Sequence, residues 1–428
     1  MQAEHKIIKW ISAELFFVVS VISSVMFGVF SAAISHDFHL SPSTLGWLSG
    51  IFFIVYALAQ FYSGRLFVLF PAWIIMSSSA LIAALGALVF ANCSSIGLVF
   101  LARILLGVGL ASTFVGVLYI VQKNFAAASF PMMSSLSQSS ANFCAAIFGF
   151  FAGSVHNYHT SFNFLALLLL ICSLLSFLFI REKSTTASSL KQAQATPQLS
   201  MLSTVSMIIR NPQVWLAAFY FSGLFGAVLT FADLFNVSYQ VQAFHLSFNT
   251  ASIINSMIPL GLTCGGLLCG YWAQKIKNYV FPARIMGALT VAMFSLILFI
   301  KFESAFAHVI IGVVSFLFGI GCSGSILAFQ CLQENISDER LKPMATSFVL
   351  TFTYIMSGMV EQPTVGDFIA RTQLKVMNHA AGLSAVQSWF FDPADQDSWH
   401  KFNSGLYVIF GFLIVSFIAS WFFKRKQN

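Results

Sequence analysis

Only 8% of the 428 residues are Asp, Glu, Lys or Arg, and four of those stand alone inside long apolar runs: Glu14, Arg103, Asp233 and Glu361. His308 lies near the end of another run. A guanidinium in LARILLGVGLAS (101–112) stays charged under all working conditions and can fork onto a carboxylate. The three carboxyls can each take up or release a proton. A charge at the centre of a hydrocarbon layer costs at least about 2.5–3.5 kcal/mol, so each of these groups needs a partner or a wet cavity. The sequence has no GxxxxGK[ST] phosphate cradle, no HExxH and no nucleophile motif with a placed base. Its seven cysteines are scattered, five fall in apolar runs, and no CxxC occurs, so neither a disulfide framework nor a metal site is expected. The chemistry on offer is proton exchange, charge pairing and hydrogen bonding. Neither an enzyme nor a cofactor is expected.

The elements that must position these groups follow from composition. Hydrophobic residues make up 58% of the chain and aromatics 16%. A soluble domain averages about 25% charged residues, so this surface faces lipid. A bilayer core of about 30 Å asks for about 20 apolar residues per helix. Twelve such runs are read at 11–34, 43–63, 72–91, 96–121, 130–153, 162–180, 213–235, 249–272, 281–300, 305–330, 344–366 and 403–423. They are continuous rather than alternating, which indicates helices and not barrel strands. The first run lacks a small-residue cleavage site and is too long for a signal h-region, so it is kept as a span. The expected fold class is an all-α polytopic membrane protein.

Sixteen of the twenty-one Lys and Arg fall on the side of the two termini, while the other side holds Lys301, Arg371, Lys375 and Lys401. By the positive-inside rule both termini are cytoplasmic. The net charge of +7 is thereby accounted for by topology, without nucleic acid as a partner. Trp10, Trp73, Trp215, Trp272 and Trp421 fall at expected helix ends, the depth at which amphipathic rings settle.

The polar stretch REKSTTASSLKQAQATPQ belongs to the longest cytoplasmic connection, 181–212. It divides the chain into an N-terminal bundle (1–180), a linker (181–212) and a C-terminal bundle (213–428) with an outer stretch at 367–402. The halves echo each other. RILLGVGLAS (103–112) matches SFLFGIGCSG (315–324), ALAQFYSGRL (57–66) matches GGLLCGYWAQ (265–274) with Gly64 on Gly270, and FGFFAG (148–153) parallels EQPTVG (361–366), at offsets of 212, 206 and 213. Internal repeats of this kind mark secondary transporters, with the substrate site at the midplane between halves.

This layout resembles the major facilitator superfamily. Arg103, Gly107 and Gly109 resemble its fourth-helix pattern, and Gly270 to Lys277 resembles a worn copy of its loop motif, with Gln274 where that motif has Asp. The first-half copy, from Gly64, lacks both the Asp and the following Arg. Residues 39–66 and 113–125 resemble a bacterial branch of nutrient and anion importers, which includes phagosomal amino-acid and nucleoside transporters and siderophore-linked importers. The resemblance implies two pseudo-symmetric six-helix bundles and alternating access in the bacterial inner membrane. The implied protein is a monomer whose partners are lipid, a small polar solute (amino acid, nucleoside, organic anion or siderophore-type chelate) and protons. Drug or metabolite efflux shares the fold, although 141–153 lacks the proline of the exporters' fifth-helix motif. A transporter-like sensor is the alternative of another class.

Depth follows from a rise of about 1.5 Å per residue. Arg103 and Glu361 are expected about 10 Å below the outer face, with Asp233 nearer that face. Glu14 is expected among headgroups near Lys9, about 5 Å in from the cytoplasmic side. Arg103 either braces the first half through backbone carbonyls, gates by pairing with Glu361 or Asp233 across the halves, or meets substrate. Glu361 is the first proton-coupling candidate and Asp233 the second. Polar residues that could complete a site are Gln138 and Asn142 on one face of span five, Tyr56 and Gln60 on span two, and Tyr354 on span eleven. Asn255, with Pro259, is expected to make span eight breakable. Each of these also suits ordinary interhelical hydrogen bonding.

Overall fold

The computed structural model describes residues 2–125, 130–152, 157–181, 206–276, 278–299, 306–338, 341–378 and 398–424. The described residues form twelve long helices: α1 (Gln2–Val29), α2 (Pro42–Leu69), α3 (Ala72–Asn92), α4 (Ile96–Asn124), α5 (Phe130–Ala152), α6 (Tyr158–Phe179), α7 (Pro212–Ala243), α8 (Phe248–Ile276), α9 (Val280–Phe299), α10 (Ala307–Asn335), α11 (342–378) and α12 (Ser398–Trp421). A short helix, Ser31–Asp37, joins α1 to α2. Local chemistry sets several starts. Ser41 caps α2 by accepting from Thr44 N–H at 3.1 Å, ahead of Pro42, and Asn211 caps α7 ahead of Pro212; both use a side-chain acceptor and a proline with no N–H to satisfy.

Ten helices are long and apolar enough to cross a membrane. The remaining two are α5, with serines at 134, 135, 137, 139 and 140, and α11, with Glu361. Two expected ends move. Helix α7 runs on to Ala243 and α11 to Asn378, so the first part of the outer stretch 367–402 continues α11. The rest of that stretch up to 397, and linker residues 182–205, lie outside the described residues.

The repeat seen in the sequence is a repeat of contacts. Helices α1 with α5, α2 with α4, α3 with α4 and α3 with α6 pack in the first half, and α7 with α11, α8 with α10, α9 with α10 and α9 with α12 in the second. Gly107 lets α4 lie against Phe52 and Val55 of α2, and Gly319 lets α10 lie against Ile258 and Gly261 of α8. The offsets in these pairs are those of the sequence matches. The contact between halves is symmetric as well: Gly149 of α5 meets Ser252 and Ser256 of α8, and the equivalent Gln362 of α11 meets Gly46 of α2. A side chain at Gly50 would strike the backbone of Gly358. These approaches, and the hydrogen bonds between halves from Ser24, Ser31 and Ser43, lie in the part of the bundle away from the termini. That end is closed.

Both α7 and α11 widen into a π-helical segment, Val228–Phe235 and Met356–Glu361, and the two segments touch. Such widened turns cluster at functional positions because they re-aim side chains out of the regular helical register. Here they hold Thr230, Asp233, Ser357 and Glu361.

Candidate functional site

Glu361 is fully buried. Thr230 Oγ1 donates to its Oε2 at 2.8 Å, and Thr230 in turn lies 3.1 Å from Ser357 Oγ. Oε1 has no hydrogen-bond partner, and no ion pair among the described residues involves Glu361. Gly226 makes room for the carboxyl: a Cβ there would come within 2.8 Å of Oε1. The next residue, Gln362, donates from Nε2 to Leu229 O at 2.9 Å. The carboxyl thus sits between the two π segments and inside the second half. A hydroxyl can donate to a carboxylate or accept from a carboxylic acid, so Thr230 and Ser357 can satisfy either protonation state by turning their O–H bonds round.

Of the two carboxyls weighed as partners for an Arg103 gate, Glu361 is not paired with it among the described residues. Arg103, 1% exposed, sends Nε to Leu48 O and Nη2 to Ser49 O, both at 3.2 Å. Its guanidinium carbon lies 4.0 Å from the Phe27 ring centre and 4.4 Å from that of Phe52. Nη1 has no partner. The carboxylate whose field reaches it is Asp233, across the halves. Asp233 is no solvated helix end. It is 8% exposed, ten residues before the end of α7, and accepts from Ser24 Oγ of α1 at 2.5 Å.

Near the plane where the halves meet, Tyr354 stacks on Phe53 with centres 6.0 Å apart, lies 5.0 Å from Tyr56 and meets Phe225 edge-on. Gln60, one turn further on α2, is buried with Oε1 unpartnered. Gln138 and Asn142 meet at 3.5 Å on α5. Asn255 accepts from Asn236 at 2.8 Å, and Asn236 from Gln240 at 3.2 Å, which knits α8 to α7. Helix α8 passes unbroken through Pro259, and Thr263 bonds to the Pro259 carbonyl at 3.0 Å.

Three participants escaped the sequence reading. Thr230, Ser357 and Gly226 look like packing residues, and only their i,i+4 spacing to one another and to Glu361 (226 to 230, 357 to 361) hinted at a shared face. Glu14, singled out by its charge, is buried against α5 and accepts from Ser140 Oγ at 2.7 Å.

The fold and the sequence point to one family. The chain superposes on a bacterial homologue of the human lysosomal transporter Spinster, solved inward-facing and unoccupied, with a TM-score of 0.71 at 13% identity over 98% of each chain. It superposes on the nucleoside transporter NupG with a TM-score of 0.69 at 14% identity, over 98% of this chain and 100% of that one. No curated protein sequence matches significantly. The family model described as Major Facilitator Superfamily matches residues 15–360, and the chain, a membrane transporter and not an enzyme, belongs to that superfamily.

Proposed function

We propose that the chain is a proton-coupled importer of a small polar solute, working by alternating access in a bacterial inner membrane as a monomer. In this reading 1–180 and 213–428 are the two moving bodies, 181–212 is their linker, and both termini are cytoplasmic. The observation that carries it is Glu361: a sealed carboxyl with hydroxyl partners and no cation. Burying an unpaired carboxylate costs several kcal/mol, and a proton removes that cost. Proton uptake at Glu361 is therefore tied to closure of its surroundings, and release to their opening. The closed end away from the termini corresponds to the inward-facing state, in which the proton and solute leave to the cytoplasm.

Arg103 holds α4 to α2 and to the ring of Phe27 on α1. It is the brace of the first half, and it sets the field around Asp233. Solute binds where the halves meet, against Tyr56, Tyr354 and the amides of Gln60, Gln138 and Asn142. Stacked aromatic faces with nearby amides favour a planar, hydrogen-bonding solute. Among the candidate classes a nucleoside fits best, ahead of an amino acid, an organic anion or a siderophore-type chelate, because the one guanidinium near the midplane is already engaged by carbonyls and rings. The test is uptake of radiolabelled uridine, alanine and citrate into proteoliposomes of the purified chain. Import predicts accumulation under an inward proton gradient and its collapse with a protonophore. Binding without accumulation for every solute that stabilises the protein would contradict transport, and accumulation driven only by an outward gradient would contradict import.

A further inference from the structure

We propose that Glu14 is a second proton-binding site, housed wholly in the first half of the carrier. The proposal rests on the proton-coupled reading but not on Glu361 itself. Helices α1 and α5 stand in the first half where α7 and α11 stand in the second. Each of these helix pairs is joined by one buried glutamate and hydroxyls. In the second half the pair is Thr230 with Glu361, and in the first it is Glu14 with Ser140 at 2.7 Å. The acid and the hydroxyl have exchanged helices.

The two sites share their chemistry. Glu14 is 8% exposed, and its Oε2 is buried without a hydrogen-bond partner. Ser137, one turn before Ser140 on α5, is held from α1 by Trp10 Nε1, which donates to its Oγ at 3.2 Å. Ser140 can reverse its O–H bond, donating to a carboxylate or accepting from a carboxylic acid. No ion pair among the described residues involves Glu14. The titratable neighbour that feels its charge is Cys144 of α5. Lys9 precedes it on α1, and Tyr119 and Lys123 close the neighbouring end of α4. On α6 Cys172 lies in the half nearer the linker, whereas Tyr158 and His159, and Asp233 and Tyr239 on the part of α7 packed against α1, lie at the other end of the bundle. A glutamate that served only to pack α1 on α5 would not need a carboxyl oxygen left open.

The test uses the full chain in liposomes, with infrared difference spectra of the carboxyl C=O stretch recorded as pH is changed and no solute present. Wild type is expected to show bands from buried protonated carboxyls, of which Glu14→Gln removes one. Ser140→Ala, which keeps the acid, should shift that same band, and Glu361→Gln should leave it in place. Identical spectra for wild type, Glu14→Gln and Ser140→Ala would overturn the proposal, whichever of these variants folds well enough to be measured. Loss of the Glu14 band with none lost in Glu361→Gln would instead overturn the role given to Glu361 and leave this proposal standing.

Discussion

Replacing Arg103 by Lys keeps the charge and takes away the fork. The guanidinium makes two bonds to the carbonyls of Leu48 and Ser49 and packs against Phe27 and Phe52. Lysine, a point charge on a shorter reach, can keep one carbonyl and one ring. A hydrogen bond from a charged donor contributes about 1.5–3 kcal/mol, and a desolvated cation–ring contact about 2 kcal/mol or less. The charge remains buried, so nothing offsets the loss, and Arg103→Lys should cost about 3 kcal/mol. At roughly 2–4 °C per kcal/mol for a body of about 200 residues, the melting temperature should fall by about 6–12 °C. Arg103→Met should fall less. It ends the desolvation cost of the charge and fills most of the space, and the two carbonyls lie within α2, where helical N–H groups already bond them. Melting curves of the three proteins, with and without solute, decide. Wild-type stability in Arg103→Lys, or a deeper fall in Arg103→Met than in Arg103→Lys, would refute this account and show that the site needs the charge for Asp233 rather than the fork for α2.

Thr230→Val removes the hydroxyl that serves Glu361 while keeping the shape. Proton-driven uptake should slow about tenfold or more, the equivalent of one charge-assisted hydrogen bond, while solute exchange persists and Thr230→Ser recovers most of the rate. Gly226→Ala sets a methyl within 2.8 Å of Oε1 and should cost about 1–3 kcal/mol as an overpacked site, with uptake lost before the fold; an unchanged uptake rate would show that the carboxyl has room to move. A reporter fused after Ser188 should be cytoplasmic and one inserted at Asp395 external, and finding both on one side would contradict the topology.

The apolar runs and the paired glycines made the fold legible. Gly107 and Gly319 line up in the sequence because they do the same work, each letting a fourth helix touch a second one. The rarity of charge made Arg103, Asp233 and Glu361 stand out as well. Their partners did not stand out. Hydroxyls such as Thr230, Ser137 and Ser140 have the composition of close helix packing, and hydropathy carries no mark of the π segments that aim Thr230 at Glu361. Helix length was misjudged where polar residues imitate a helix end. Lys6 and Lys9 made α1 start late, although the helix begins at Gln2. Asn236, Ser238 and Gln240 made α7 end early at 235, although they are buried and bonded to one another, to the short helix after α1 and to α8.

The most direct test of proton coupling at Glu361 is accumulation by Glu361→Gln in proteoliposomes, measured beside exchange across the same membranes. Exchange requires the loaded carrier to cycle but no net release of a proton. Glutamine keeps the shape and a hydrogen bond to Thr230 but cannot titrate. The account predicts exchange close to the wild-type rate and no accumulation under an inward proton gradient. Accumulation to the wild-type level would contradict it and move the coupling role to Asp233.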